Sequence, residues 1–195
     1  MTEDNWSQLH GGVEVKGFIK YWIVVSKFLA APFILLRITP NWISFLTILI
    51  SIPFIFNPNA WWLVLIGLIL DGIDGRVAIE TKRTSKFGAI VDSVSDRIVE
   101  FIWAIGLYSL GLNPIVVFFF IGLAWTQEYL RARAGGLGFK DIGIVTVGER
   151  PVRAIFIILI SLITPFSKII LLIALINSIV SLTTLTFVVR RKINQ

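Results

Sequence analysis

The sequence predicts an all-α fold: a polytopic membrane bundle of six transmembrane helices, preceded by an amphipathic helix at the membrane interface. Three observations carry this expectation. The 195 residues are 56% hydrophobic and 15% charged, with a mean hydropathy of +0.85; a soluble domain carries about 25% charged residues because its surface is solvated. Six apolar stretches follow one another between Pro, Gly and Asn breaks, and six spans of ~20 residues fit within the chain. Lys and Arg fall almost entirely on one side of the topology that these stretches define.

The same composition excludes several classes. Fifteen Phe and seven Trp exclude an intrinsically disordered chain. The absence of cysteine excludes disulfides, thiolate metal sites and cysteine nucleophiles. The single histidine, His10, lies in a polar N-terminal stretch, which excludes a histidine metal cage or triad. That stretch, MTEDNWSQLHGG, has no basic segment followed by an apolar core and is not expected to be a secretory signal.

Residues 1–37 are expected to form a cytoplasmic N-terminus and the interfacial helix. Gly17 to Leu36 carries Lys20 and Lys27 on one helical face, is interrupted by Pro32 and is closed by Arg37. This pattern reads as a helix lying on the membrane surface, with a short tilted span as the competing reading. Thr39-Pro40-Asn41 opens the first span, Trp42 to Phe56, and Asn57-Pro58-Asn59 is a turn signal. A second span runs from Trp61 to Glu80 and a third from Gly88 to Leu110. Gly111-Leu112-Asn113-Pro114 breaks the chain before a fourth, Ile115 to Arg133. A glycine-rich polar loop, Ala134 to Pro151, leads to Val152–Ile163 and Ile169–Val189, which Thr164-Pro165-Phe166-Ser167-Lys168 separates.

With six spans, 17 of the 18 Lys and Arg residues lie on the side bearing both termini, and Lys168 alone lies on the other. Cytoplasmic loops accumulate such residues. Both termini are therefore expected in the cytoplasm of a multi-pass protein of the cell (cytoplasmic) membrane. The net charge of +6 is then topological, and nucleic acid is not an expected partner. No internal repeat is visible, and residues 1–195 read as a single membrane domain.

The chemistry concentrates in Leu70 to Glu100, LDGIDGRVAIETKRTSKFGAIVDSVSDRIVE, which holds four of the six aspartates of the chain. A carboxylate inside an apolar helix costs several kcal/mol unless it is paired, bound to metal or facing water. Asp71 and Asp74 are three residues apart and Asp92 and Asp96 four apart, so each pair shares a helix face. Counted back from the turn of an antiparallel hairpin, Asp71 lies opposite Asp96 and Asp74 opposite Asp92. At ~1.5 Å per residue the group sits ~12–20 Å from the turn, within reach of the cytoplasmic side. Four carboxylates so close require compensating charge. Oxygen ligands without thiol or imidazole imply a hard divalent cation, Mg²⁺ or Mn²⁺, and two helices can hold a pair of such ions with positions open to phosphate. Gly75 and Ala78 share the face of Asp71, and Gly88 shares that of Asp92 and Asp96. They leave a smooth wall for a flat or bulky group; the plainer reading is close helix packing.

This segment resembles the pattern D-x-x-D-G-x-x-A-R, eight residues, G-x-x-x-D-x-x-x-D of the CDP-alcohol phosphatidyltransferase family. Asp71, Asp74, Gly75, Ala78, Gly88, Asp92 and Asp96 match it in identity and spacing, and Ile79 stands where the pattern has Arg. The resemblance implies that an acceptor hydroxyl attacks the lipid-side phosphorus of a CDP-lipid and releases CMP. It implies that the four aspartates hold two metal ions and that Asp96 is also the general base on the acceptor. Gly75, Ala78 and Gly88 would line the cytidine pocket, with Asn41 and Ser44 nearby. Arg76, one turn before Ile79 on nearly the same face, is expected to supply the missing arginine contact. Family members are commonly homodimers, and a homodimer among membrane lipids is the expected assembly.

A basic cluster, Arg131, Arg133, Arg150 and Arg153, flanks the loop GGLGFKDIGIVTVGE. Topological marking alone would explain it. Guanidinium forks also suit phosphate, and YLRARAGGLG and GERPVR are similar to stretches of phosphatidylinositol-phosphate and phosphatidylglycerol-phosphate synthases. The acceptor is therefore expected to be a small polar alcohol carrying phosphate, such as inositol phosphate or glycerol phosphate, bound by these arginines. The main alternative is a cation- or proton-coupled transporter using the intramembrane aspartates, which would spread its charges over several spans. An intramembrane aspartyl protease needs only two aspartates, and a scaffold leaves the acidic hairpin without a cause.

Overall fold

The computed structural model describes residues 18–139 and 146–193. The N-terminal stretch with His10 and Lys16, the centre of the glycine-rich loop with Lys140, and the last two residues lie outside the described residues. Within them the chain is helical: α1 (Phe18–Leu35), α2 (Pro40–Ser51), α3 (Trp61–Glu80), α4 (Lys86–Ser109), α5 (Pro114–Gly136), α6 (Arg150–Leu162) and α7 (Ser167–Ile193). Short 3-10 turns, Ile52–Ile55 and Thr164–Phe166, extend α2 and precede α7. The expected all-α class is what the structure shows, and no strand occurs among the described residues.

Proline and asparagine set several boundaries as their chemistry requires. Asn113 caps α5 by accepting from the backbone N–H groups of Ile115 and Val116, and Pro114 occupies the first turn, where its missing N–H costs nothing. Ser85 caps α4, its Oγ accepting from Gly88 N at 2.9 Å. At the other end, α1 and α3 both close in a left-handed residue that is not glycine: Arg37 at φ 55° and Lys82 at φ 56°. In each case the following N–H reaches back five residues, Ile38 to Phe33 O at 2.9 Å and Arg83 to Ala78 O at 2.8 Å. This Schellman arrangement satisfies carbonyls the helix would otherwise leave open.

The chain folds as two compact units. The first comprises the chain up to Ile50 together with Ile66–Val99. Its core joins α1, α2 and α3 through Ala30, Ile43, Leu70, Ile73 and Val77. Gly72 makes the close approach of α1 possible, because a Cβ there would lie 2.3 Å from the Trp22 ring. Arg76, 4% exposed, fastens the same contact by donating to Ile23 O at 2.7 Å and Ser26 Oγ at 3.1 Å.

The second unit comprises Ser51–Leu65 and the chain from Glu100; there α7 packs against α5 and α6. The buried stripe of α7 includes Ala174, Ser178, Ser181 and Leu185, while Ile169, Leu172, Ile173, Ile176 and Phe187 are exposed. Small residues inward and large apolar ones outward is the reverse of a soluble helix and the pattern that lipid favours. Pro114–Gly136 and Thr164–Ile193 are long and apolar enough to cross a membrane, and Tyr21–Leu35 with Pro40–Ile55, bent by 105°, form a third candidate.

Candidate active site

The site lies in the first unit, on the hairpin of α3 and α4. One carboxylate oxygen from each of Asp71, Asp74 and Asp92 lies within 4.8 Å of the others. Asp74 is the deepest, 5% exposed, and its Oδ2 accepts a hydrogen bond of 2.6 Å from Ser44 Oγ on α2. Asp96 stands outside this trio but lines a common cavity with all three, and its Oδ2 lies 3.8 Å from Arg97 Nη2. The sequence expectation pairs Asp74 with Asp92 and Asp71 with Asp96; the structure brings the first pair together, with Asp71 beside them.

Three carboxylates at this spacing repel one another, and the donor set is all oxygen. That combination fits a hard divalent cation such as Mg²⁺ or Mn²⁺. Ser44 supports the fit, since a hydroxyl donating to one carboxylate oxygen fixes its rotamer and leaves the other for a ligand.

Two cavities open beside the trio. The first, about 250 Å³, is lined by Asn41, Ser44, Asp74, Gly75, Ala78, Ile79, Arg83, Ser85, Gly88 and Asp92 among others. It gathers the residues expected around a nucleotide, with Arg76 as the exception. A Cβ on Gly75 would meet nothing within 4 Å, whereas one on Gly88 would crowd Ser85 Oγ at 3.1 Å and Asn41 Oδ1 at 3.4 Å. Gly75 therefore leaves open space, and Gly88 permits close packing. The second cavity, about 300 Å³, is lined by Trp22, Ile23, Ser26, Asp71, Asp74, Arg76, Asp92 and Asp96 among others. Arg76 borders this second cavity with its guanidinium engaged, its Nε donating to Glu80 Oε1 at 2.7 Å and its Nη1 holding α1. That engagement changes the expectation that it reaches a nucleotide. The residues that sequence reasoning missed are Trp22, brought in by α1, and Arg83 and Ser85, brought in by the turn at Lys82.

The four arginines of the basic cluster all lie in the second unit, in four different settings. Arg153, 1% exposed, forks onto Glu100 Oε1 with Nη2 at 2.7 Å and Nε at 3.0 Å, reaches Glu128 Oε1 at 3.5 Å and donates to Gly148 O. Arg131 makes a two-pronged pair with Glu149. Arg150 is buried with its guanidinium 5.7 Å from the Trp103 ring centroid. Arg133 is exposed. Burial alone would raise the Glu149 carboxyl, but Arg131 and the N–H and hydroxyl of Thr146 outweigh it and hold Glu149 below the ordinary value of 4.5. Carboxylates thus already engage Arg131 and Arg153, so the cluster is less open to an anion than four arginines in sequence suggest.

A chain helical among its described residues, with three carboxylates of a helical hairpin grouped beside a cavity, defines the class. The pattern of the CDP-alcohol phosphatidyltransferase family matches residues 37–189, and the chain belongs to that family. It is 34% identical over 102 residues to the archaetidylinositol phosphate synthase of Aeropyrum pernix, covering 51% of this chain and 53% of that protein. It is 34% identical over 125 residues to the synthase of the same name from Pyrococcus horikoshii, covering 59% of this chain and 66% of that one. The matches thus span about half to two thirds of these curated relatives. The fold is similar to that of the phosphatidylinositol phosphate synthase of Mycobacterium tuberculosis, solved with CDP-DAG bound, at a TM-score of 0.71 and 18% identity over 85% of this chain and 93% of that one. The same Mycobacterium tuberculosis enzyme has also been solved in complex with manganese and citrate.

Proposed function

We propose that this protein transfers the phosphatidyl group, or an ether-lipid equivalent, from a CDP-lipid to the hydroxyl of a phosphorylated polyol and releases CMP. The observation that carries the reading is the trio Asp71, Asp74 and Asp92 set between two cavities, one of which also holds Asp96. Asp71, Asp74, Asp92 and Asp96 would hold two Mg²⁺ or Mn²⁺ ions. Bound there, the ions supply charge neutralisation to the diphosphate and to the departing CMP.

The residues of the chain do the rest. Asn41, Ser44, Gly75, Ala78 and Gly88 seat the cytidine, and Ser44 keeps the Asp74 carboxylate oriented. Asp96 takes the proton of the acceptor hydroxyl as its oxygen bonds to the lipid-side phosphorus. The bond from that phosphorus to the oxygen retained by CMP breaks at the same centre. The acceptor phosphate belongs to the basic cluster, Arg131, Arg133, Arg150 and Arg153, within which Glu100 and Glu149 fix the guanidinium groups of Arg153 and Arg131. Two curated relatives named for archaetidylinositol phosphate synthesis support inositol phosphate as the acceptor.

The reading includes a single membrane domain of six spans in the cytoplasmic membrane. Both termini and the site face the cytoplasm, α1 lies at the interface, and the assembly is a homodimer. The exposure of Tyr21, Phe28 and Leu35 on α1 supports the interfacial placement.

The test is to incubate purified protein with CDP-diacylglycerol or its ether analogue and a panel of acceptors, and to identify products by mass. Transfer to inositol phosphate or glycerol phosphate, with CMP released, is expected. Equal rates with the unphosphorylated alcohols would remove the acceptor-phosphate reading, and absence of CMP with every acceptor would remove the reaction.

A further inference from the structure

The first cavity has acidic residues in its wall, Asp74 and Asp92, and one cation, Arg83. Arg76 does not line that cavity, and its guanidinium is committed to Glu80 and α1. Ile79, which does line it, is apolar at the position where the family pattern has arginine. Arg83 lies one helical turn further along the chain. It is not carried there by α3, which ends at Glu80. The left-handed residue Lys82 folds the chain back, and the bond from Arg83 N to Ala78 O, 2.8 Å, pins the arginine backbone beside the cavity wall. Among the described residues the Arg83 side chain has no carboxylate partner. Its contact is a long hydrogen bond of 3.4 Å from Nη1 to the Arg37 carbonyl, which leaves most of its five donors for a ligand.

We propose that Arg83 binds the diphosphate of the CDP-lipid, replacing from the α3–α4 turn the arginine that Ile79 displaces from the helix. The inference rests on the CDP-lipid reading above. A nucleoside diphosphate entering a cavity walled by carboxylates needs a cation on the side away from the metal ligands. A guanidinium that can swing in from a pinned turn supplies two parallel donors to phosphate oxygens.

The test is a titration of CDP with Mn²⁺ present, in wild type, Arg83→Ala, Arg83→Lys and the double variant Arg83→Ala/Ile79→Arg, beside a titration of Mn²⁺ alone. Arg83→Ala is expected to weaken CDP about tenfold to a hundredfold, the range of a lost charged hydrogen bond. Arg83→Lys should keep part of the affinity, the double variant should recover most of it, and Mn²⁺ alone should bind all four proteins equally. CDP affinity within twofold of wild type in Arg83→Ala would overturn the proposal. So would no recovery in the double variant, or a loss of Mn²⁺ binding in Arg83→Lys, which would make the residue a support for the turn. A wild-type protein that binds no CDP would remove the CDP-lipid reading itself, and this inference with it.

Discussion

Ser44 Oγ, on α2, donates a hydrogen bond of 2.6 Å to Asp74 Oδ2, on α3, linking the helix that opens with Pro40 to the most buried member of the acidic trio. A hydroxyl in this position orients a metal-binding carboxylate without contributing charge, and loss of such a partner typically costs 10–100-fold in metal affinity or activity. Ser44→Ala is therefore expected to raise the Mn²⁺ concentration needed for half-maximal CMP release by about tenfold or more, with thermal stability little changed. An activation curve measured against Mn²⁺ checks this.

Two glycines three residues apart make opposite predictions. A methyl at Gly72 would strike the Trp22 ring at 2.3 Å, so Gly72→Ala should destabilise the first unit by about 1 to 3 kcal/mol, the usual range for overpacking. A methyl at Gly75 meets nothing within 4 Å and removes the entropic penalty of helical glycine. Gly75→Ala should therefore melt at or above the wild-type temperature while binding CDP more weakly. Thermal unfolding in detergent and nucleotide titration on the same two samples separate the effects.

Glu100 and Arg153 are 0% and 1% exposed at their side chains and meet at 2.7 Å. Removing one charge from a buried pair leaves the other uncompensated, at a cost of about 3 to 5 kcal/mol. Glu100→Leu and Arg153→Met alone should each be strongly destabilised, and the double variant less so than either. Unfolding temperatures of the three variants test this coupling.

Glu149, which precedes the first residue of α6, is expected to make stability depend on pH. Its carboxyl titrates below the ordinary 4.5 in the folded protein, so the unfolded chain binds the proton more tightly. The stability it contributes is fully present above about pH 4.5 and is lost as pH falls through the lower folded value. The difference in melting temperature between wild type and Glu149→Gln should be constant near neutrality and shrink in acid. A difference that grows toward acid pH would contradict the Arg131–Glu149 assignment.

The hairpin was legible in the sequence because its information is local. Asp71 and Asp74, then Asp92 and Asp96, sit at helical spacings that survive any packing, and the second span ends at Glu80 as α3 does. Gly88 belongs to the family pattern and Ser44 is placed near it by the resemblance; both line the first cavity. What the sequence concealed depends on contacts between distant residues. Arg76 reads as a free cation until Ile23 and Ser26, some fifty residues earlier, accept its hydrogen bonds. Arg153 likewise reads as a cation with no protein partner until Glu100, more than fifty residues earlier, accepts its hydrogen bond. Arg83 was hidden for a different reason: a left-handed turn at a lysine carries no sequence signal, and helical periodicity stops at Glu80, three residues short of the arginine.

The central claim is that Asp71, Asp74 and Asp92 act together as the divalent-metal ligands of a CDP-lipid transferase. Release of CMP from CDP-diacylglycerol, followed against Mn²⁺ concentration in wild type and Asp92→Asn, tests it most directly. The account predicts saturable, metal-dependent release that chelator abolishes in wild type and that Asp92→Asn lacks at every concentration. Release that persists in chelator, or an Asp92→Asn protein as active as wild type, would contradict it.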